Sequence, residues 1–216
     1  MAKNSPSPQF IAFEGLDGSG KSTLIQAVSA ELERRRKTFV LTREPGGTPL
    51  AEDIRRLILR TDHEVPVAET ELLLYAASRA QHVAHVIQPA LARGEWVLCD
   101  RFTASSVAFQ CFARGLSRTN VDWLNSFATR GVRPALNVLL DLDVVESHRR
   151  QGGRPGQERD RMERESQEFH EAVRRGYLEQ ARERPTEWFV VDAALAPERI
   201  KTLVLERLEA SGWLAS

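Results

Sequence analysis

Residues Gly15-Leu16-Asp17-Gly18-Ser19-Gly20-Lys21-Ser22 follow the pattern G-x-x-x-x-G-K-[ST] and come directly after the apolar run Phe10-Ile11-Ala12-Phe13. A buried strand must therefore turn through a glycine-rich loop into a helix, which is the opening unit of a phosphate-binding α/β fold. Glycines let successive backbone N–H groups turn inward without Cβ clashes and form a nest for a polyphosphate at a helix N-terminus. Lys21 is placed to reach the β- and γ-phosphates. Ser22 stands in the first turn of a helix that continues through Leu24, Ile25, Val28 and Leu32, where its hydroxyl can serve Mg²⁺. The pattern implies a nucleoside triphosphate bound with magnesium.

Strand-like apolar runs recur at residues 9–14, 38–42, 96–100, 136–141 and 188–192, each separated from the next by helical periodicity. Five such strands with helical crossovers predict a parallel, five-stranded sheet covered by helices on both faces. The polar start, residues 1–8, reads as a disordered tail, and residues 9–216 as a single domain. Ligands of such sheets gather beyond the carboxyl ends of the strands. There the sequence places the phosphate loop, then Arg43-Glu44-Pro45-Gly46-Gly47-Thr48, then Asp100-Arg101-Phe102, then Asp141 and Asp143. These four strand ends are expected to converge on one charged cleft. Pro45 sets one φ, and the two glycines after it permit positive φ. Asp100, which ends an apolar strand, is placed to orient a magnesium-bound water or Arg101, or to form a structural ion pair.

Residues 69–93 read as one long helix with an apolar stripe of Leu72, Leu73, Ala76, Ala80, Val83, Val86 and Ile87, kinked or ended in its last turns by Pro89. Tyr75 and Arg79 lie one turn apart on it. A ring beside a guanidinium can hold a flat base, and the same pair fits core packing with a surface charge. Between residues 149 and 164 lie six arginines among Gly152, Gly153, Pro155 and Gly156, a composition unsuited to one continuous helix. It reads as an arginine-rich lid able to place cations on a transferred phosphoryl group, or as a solvated loop.

The chain of 216 residues carries 30 basic and 30 acidic residues and a formal net charge of zero. That balance argues against the broad basic face that nucleic acid or an anionic membrane needs. Cys99 and Cys111 make no disulfide framework and no metal-ligand spacing appears, so a reducing cytoplasm is expected. No run of apolar residues is long enough for a signal peptide or a membrane span.

At this point the residues resemble the thymidylate kinases, which make dTDP from dTMP and ATP. The resemblance runs from Phe10 to about Val191 and rests on Phe13-Glu14-Gly15 through Ser22-Thr23, Thr42 through Thr48, Tyr75 through Arg79, Asp100-Arg101-Phe102 and Asp160-Arg161-Met162-Glu163. It implies a P-loop nucleoside monophosphate kinase fold, with Gly15, Leu16, Asp17, Gly18, Ser19, Gly20, Lys21, Ser22 and Thr23 on ATP and with Ser22 and Asp100 near the metal. It gives the dTMP phosphate to Arg43 and Arg101, the sugar to Asp17 and the thymine to Tyr75 and Arg79, with Pro45, Ser105, Ser106, Phe109 and Gln110 completing the pocket. Lys21, Arg101, Asp17 and a lid arginine form the implied catalytic set. Most members carry Phe where Tyr75 stands, and Tyr where Phe109 crowds the sugar 2′ position. The phosphate loop has no arginine, as in bacterial-type members that use lid arginines instead. Arg154 is the leading candidate for that role, with Arg149, Arg150 and Arg159 as alternatives. The resemblance also implies a homodimer, built through the 69–93 helix and its neighbours.

The phosphate loop alone also fits a kinase of another small acceptor, or a nucleotide-switched binding protein. Arg43 and the Tyr75/Arg79 pair speak against the first. The neutral surface and convergent arginines fit a two-substrate cleft better than a switch.

Overall fold

The computed structural model describes residues 7–62, 64–152 and 160–214. Five strands, β1 (Ser7–Glu14), β2 (Phe39–Arg43), β3 (Trp96–Asp100), β4 (Pro134–Asp141) and β5 (Trp188–Asp192), make one sheet in the order β2-β3-β1-β4-β5, every pairing parallel. The expected tail is two residues too long, because Ser7 already pairs with Pro134; residues 1–6 lie outside the described residues. Strand β4 likewise starts two residues before its apolar run. A proline is tolerated at the first position of a strand, where its missing N–H breaks no ladder bond.

Helices α1 (Lys21–Arg34), α2 (Pro49–Leu59), α3 (Ala68–His82), α4 (Gln88–Ala92) and α5 (Thr103–Ser106) are followed by α6 (Arg118–Thr129), α7 (Val144–Gly152), α8 (Gln167–Glu183) and α9 (Pro197–Ala210). Side chains of a strand alternate between faces, and β1 divides accordingly. Ile11 and Phe13 join Leu24, Val28, Val204 and Leu208 in the core under α1 and α9, whereas Phe10 and Ala12 pack with Val83, Ile87 and Phe102 on the opposite face.

The predicted helix 69–93 is α3 and α4 joined by a π-helical segment, Val83–Ile87. Pro89 thereby falls in the first turn of α4, where the lost N–H costs least. Leu73 is a correction to the predicted stripe: it is 58% exposed, lying about 100° round the helix from Leu72. A second π-helical segment, Val107–Ala113, packs across α8. Gly176 makes that crossing close. A Cβ there would lie 2.9 Å from the Ala108 Cα and 2.8 Å from the Phe112 ring.

Gly176→Ala therefore sets a helix-propensity gain of about 1 kcal/mol against an overpacking cost of about 1–3 kcal/mol. Backbone against backbone cannot yield cheaply, so the cost wins. A lowered urea midpoint with an unchanged m-value is expected, and a raised midpoint would contradict the packing argument.

Candidate active site

The loop between β1 and α1 turns through positive φ at Gly15, Gly18 and Gly20. At Gly15 a Cβ would stand 2.5 Å from the Leu140 carbonyl oxygen, so only glycine lets the loop pass β4. Lys21 folds back over the loop, donating from Nζ to the carbonyls of Gly15 and Leu16, both at 3.1 Å, and pairs with Asp17 at 3.7 Å. Burial, then the nearby Arg101 charge, pulls the Lys21 ammonium below its ordinary pKa against the opposing pull of Asp17 and Asp100. Ser22 and Thr23 are exposed in the first turn of α1. Ser19 Oγ and Asp100 Oδ1 are buried without a hydrogen-bond partner among the described residues.

Three cavities meet around this loop. A cleft of about 200 Å³ is lined by Lys21, Ser22, Thr23, Arg43, Asp100 and Arg101. Asp17, Glu44, Arg55 and Arg101 are common to it and to a cavity of about 300 Å³ that also holds Pro45, Tyr75, Arg79, Ser105, Ser106, Phe109 and Gln110. On the other side Gly20 and Thr23 are shared with a cavity of about 190 Å³ bounded by Arg150, Ala193 and Leu195. A further cavity of about 330 Å³ lies at the amino ends of β4 and β5, against Pro134 and Trp188, and contains none of the predicted site residues.

Arg101 stands at the junction of the first two cavities. Its backbone is left-handed, φ 68°, unusual for a side chain of this size and a mark of strain held by its surroundings. Its N–H donates to the Phe13 carbonyl at 2.9 Å, and its guanidinium donates to Asp17 at 2.8 Å and to the Tyr177 hydroxyl at 2.9 Å. Ser105 Oγ lies 2.7 Å from the Tyr177 hydroxyl and donates to Glu14 at 2.7 Å, while Glu14 also accepts the Phe102 N–H at 2.8 Å. Burial raises the Glu14 carboxyl above its usual range. Burial also opposes the Asp17 charge, yet Arg101 and Lys21 outweigh it and hold that carboxyl well below its usual range. Arg101 stays charged because Asp17 and its other neighbours overcome the desolvation.

The Tyr75 and Arg79 pair lines the same cavity, but the two residues differ in freedom. Arg79 is 2% exposed and donates to Glu44 (2.7 Å), Ser106 (2.9 Å), Asn125 (2.7 Å) and the Phe102 carbonyl (3.1 Å), which leaves a single Nη2 hydrogen for a ligand. Tyr75 is half-buried. Phe109 packs edge-on to Tyr177 and lies under Arg101, whose guanidinium carbon is 5.4 Å from the ring centroid. The predicted turn after β2 is present, with Gly46 and Gly47 at φ 137° and 85°. Arg43 opens onto the phosphate cleft with its guanidinium against Glu52 at 3.1 Å.

Two expectations need correction. The end of β4 does not join the charged cleft, because Asp141 is engaged by Arg174 through two hydrogen bonds of 2.7 and 3.0 Å, and Asp143 caps the Val145 N–H. Nor are the arginines of residues 149–164 a uniformly solvated set. Arg149 and Arg150, in the last turns of α7, are both held by Glu146, and Arg150 donates to the Ala193 carbonyl beside the third cavity. Arg161 is 8% exposed and turned inward. Arg154 and Arg159 lie outside the described residues. The sequence reading missed Arg55, Tyr177 and the third cavity. Tyr177 leaves no sequence signal, being 76 residues from the arginine it touches.

The family model for thymidylate kinase matches residues 13–204. Among similar curated proteins, thymidylate kinase of Bdellovibrio bacteriovorus is 54% identical over 203 residues, covering 93% of this chain and 95% of that protein. Thymidylate kinase of Trichlorobacter lovleyi is 44% identical, covering 90% and 94%. The crystal structure of thymidylate kinase from Ehrlichia chaffeensis superposes with a TM-score of 0.74 at 29% identity, covering 93% of this chain and 98% of that one. Sequence, fold and cleft agree, and the chain belongs to the thymidylate kinase family.

Proposed function

We propose the following assignment of parts in a kinase that phosphorylates dTMP to dTDP. ATP lays its phosphates along residues 15–23 and its base in the cavity bounded by Arg150 and Ala193, while dTMP occupies the cavity of Tyr75, Phe109 and Gln110. The observation that carries this reading is the central cleft at Lys21, which joins the Tyr75 cavity through Asp17 and Arg101 and the Arg150 cavity through Gly20 and Thr23, since a donor and an acceptor must bring two phosphates to one point. Arg101 and Arg43 hold the acceptor phosphate against the repulsion of the donor, and Asp17 keeps Arg101 aimed. A phosphate monoester is already largely dianionic at neutral pH, with a second pKa of about 6, so its oxygen attacks without a general base. Tyr75 stacks on the thymine, and the Phe109 ring crowds the sugar.

Magnesium fits the residues present: Ser22 offers a hydroxyl on the phosphate cleft, and Asp100 a buried carboxylate oxygen with no partner among the described residues. When bound, the ion neutralises charge on the β- and γ-phosphates. Arg154 is proposed as the lid cation, with Arg159 as the alternative, because Arg149 and Arg150 are already paired with Glu146. Among the described residues no helix is long and apolar enough to cross a membrane, and the free thiols of Cys99 and Cys111 suit the cytoplasm.

A second copy of the chain is the proposed cover for the outer face of α3 and α6. Trp123 and Phe127 are 66% and 70% exposed and stacked on each other, and Leu73 adds an exposed apolar side chain on α3, which packs against α6.

ATP- and Mg²⁺-dependent ADP release is expected with dTMP and not with nucleosides or dCMP at comparable rate, and Lys21→Ala is expected to abolish it. An acceptor-independent rate would sink the two-substrate reading. Arg101→Ala is expected to lower turnover by roughly a hundredfold or more while ATP affinity changes little, because the guanidinium serves the acceptor; equal losses in both would remove that role. By light scattering the protein is expected at twice its 24.3 kDa chain mass. Trp123→Lys should yield monomer, and a wild-type monomer would refute the covered face.

A further inference from the structure

Glu71 lies on α3 one turn before Tyr75 and two before Arg79, so the three share a helix face. It is fully buried, 0% exposed, yet lines none of the three cavities. Its carboxylate accepts from Gln110 Nε2 at 2.9 Å and from Arg114 at 3.1 and 3.3 Å, and forms an ion pair with Arg161 at 2.8 Å. Arg161 in turn donates to the Ile58 carbonyl at 2.9 Å, and Arg114 also pairs with Glu165. Two carboxylates and two guanidiniums thus close a neutral cluster next to Tyr75, Gln110, Asp160, Met162 and Glu163, which line the cavity. Burial opposes the Glu71 charge, but the bonds from Arg114, Gln110 and Arg161 hold its carboxyl below the usual range, so it stays an ionised acceptor.

The chemistry of that acceptor constrains the residue in front of it. An ionised carboxylate only accepts, so the Gln110 amide must turn its NH₂ toward Glu71. The Gln110 carbonyl oxygen is then the end left for the acceptor cavity, which Gln110 lines. At neutral pH thymine carries a ring N3–H donor, whereas cytosine presents an unprotonated N3 acceptor. A fixed carbonyl oxygen meets the first with a hydrogen bond and the second with repulsion between lone pairs.

We propose that Glu71 is a positioning and specificity-determining residue, which fixes the Gln110 amide so that the acceptor pocket selects bases with a ring N–H. The inference rests on the assignment of that cavity to dTMP. It adds a residue that touches no substrate and sets the polarity of one that does.

The test is kcat/KM for dTMP and for dCMP in the wild type, Glu71→Gln and Glu71→Asp. An amide at position 71 both donates and accepts, so it lets Gln110 present either end. Glu71→Gln is therefore expected to lower the dTMP-to-dCMP ratio by about tenfold or more, a fraction of what a hydrogen-bonding site can command. Glu71→Asp, still acceptor-only, should keep more of the ratio. A structural defect lowers both acceptors together and leaves the ratio unchanged, and that outcome overturns the proposal, as does a wild type that does not discriminate. If Glu71→Gln does not fold, Glu71→Gln combined with Arg114→Met removes one charge of each sign, and a preserved ratio there overturns the proposal equally. Tyr75→Ala separates the two readings. If it leaves the KM for dTMP unchanged, the cavity assignment falls; if it raises KM while Glu71→Gln keeps the ratio, only the role of Glu71 falls.

Discussion

The hold on Arg101 is the constraint around which the rest of the site is arranged. A guanidinium largely removed from water stays charged and aimed only if its surroundings hold it, and a left-handed backbone at this residue adds strain. Asp17 from the phosphate loop supplies the counter-charge, Tyr177 from α8 a neutral acceptor, and the Phe13 carbonyl at the end of β1 takes its N–H. Each comes from a different element, so the arginine is correct only when sheet, loop and α8 are all in place. The close crossing at Gly176 is what lets the next residue, Tyr177, reach it.

Buried charge recurs around the cavity of Tyr75 and Gln110. Arg79 and Glu44 are 2% and 4% exposed, and Glu71 is sealed from solvent. Such pairs contribute little net stability, since desolvation consumes most of their attraction, but they are costly to break and therefore fix geometry. Around a small rigid ligand this is a useful property. Arg79 ties α3 to the Glu44 segment after β2 and to Ser106 of α5, so the pocket wall is built before any ligand arrives.

Much of this was legible in the chain. The five apolar runs lie within two residues of the strands; the inner strands β1, β3 and β4, covered on both faces, must be nearly continuously apolar. The phosphate loop, the Pro-Gly-Gly turn and Arg101 follow from glycine spacing and strand ends. Less legible were residues whose partners are distant in sequence. Asp141 reads as a cleft acid until Arg174 arrives from α8 to claim it, and Arg161 reads as a lid cation until Glu71 draws it inward.

By itself the sequence determined the fold class, the triphosphate loop and the inventory of cations, since those depend on local periodicity, on glycine conformations and on side-chain chemistry. Only the tertiary structure decided which of those cations remain available to a ligand. A charge is spent or free according to what folding brings within about 3 Å of it, and pairings between α3, the β3 end and α8 close over long stretches of chain that no local pattern encodes.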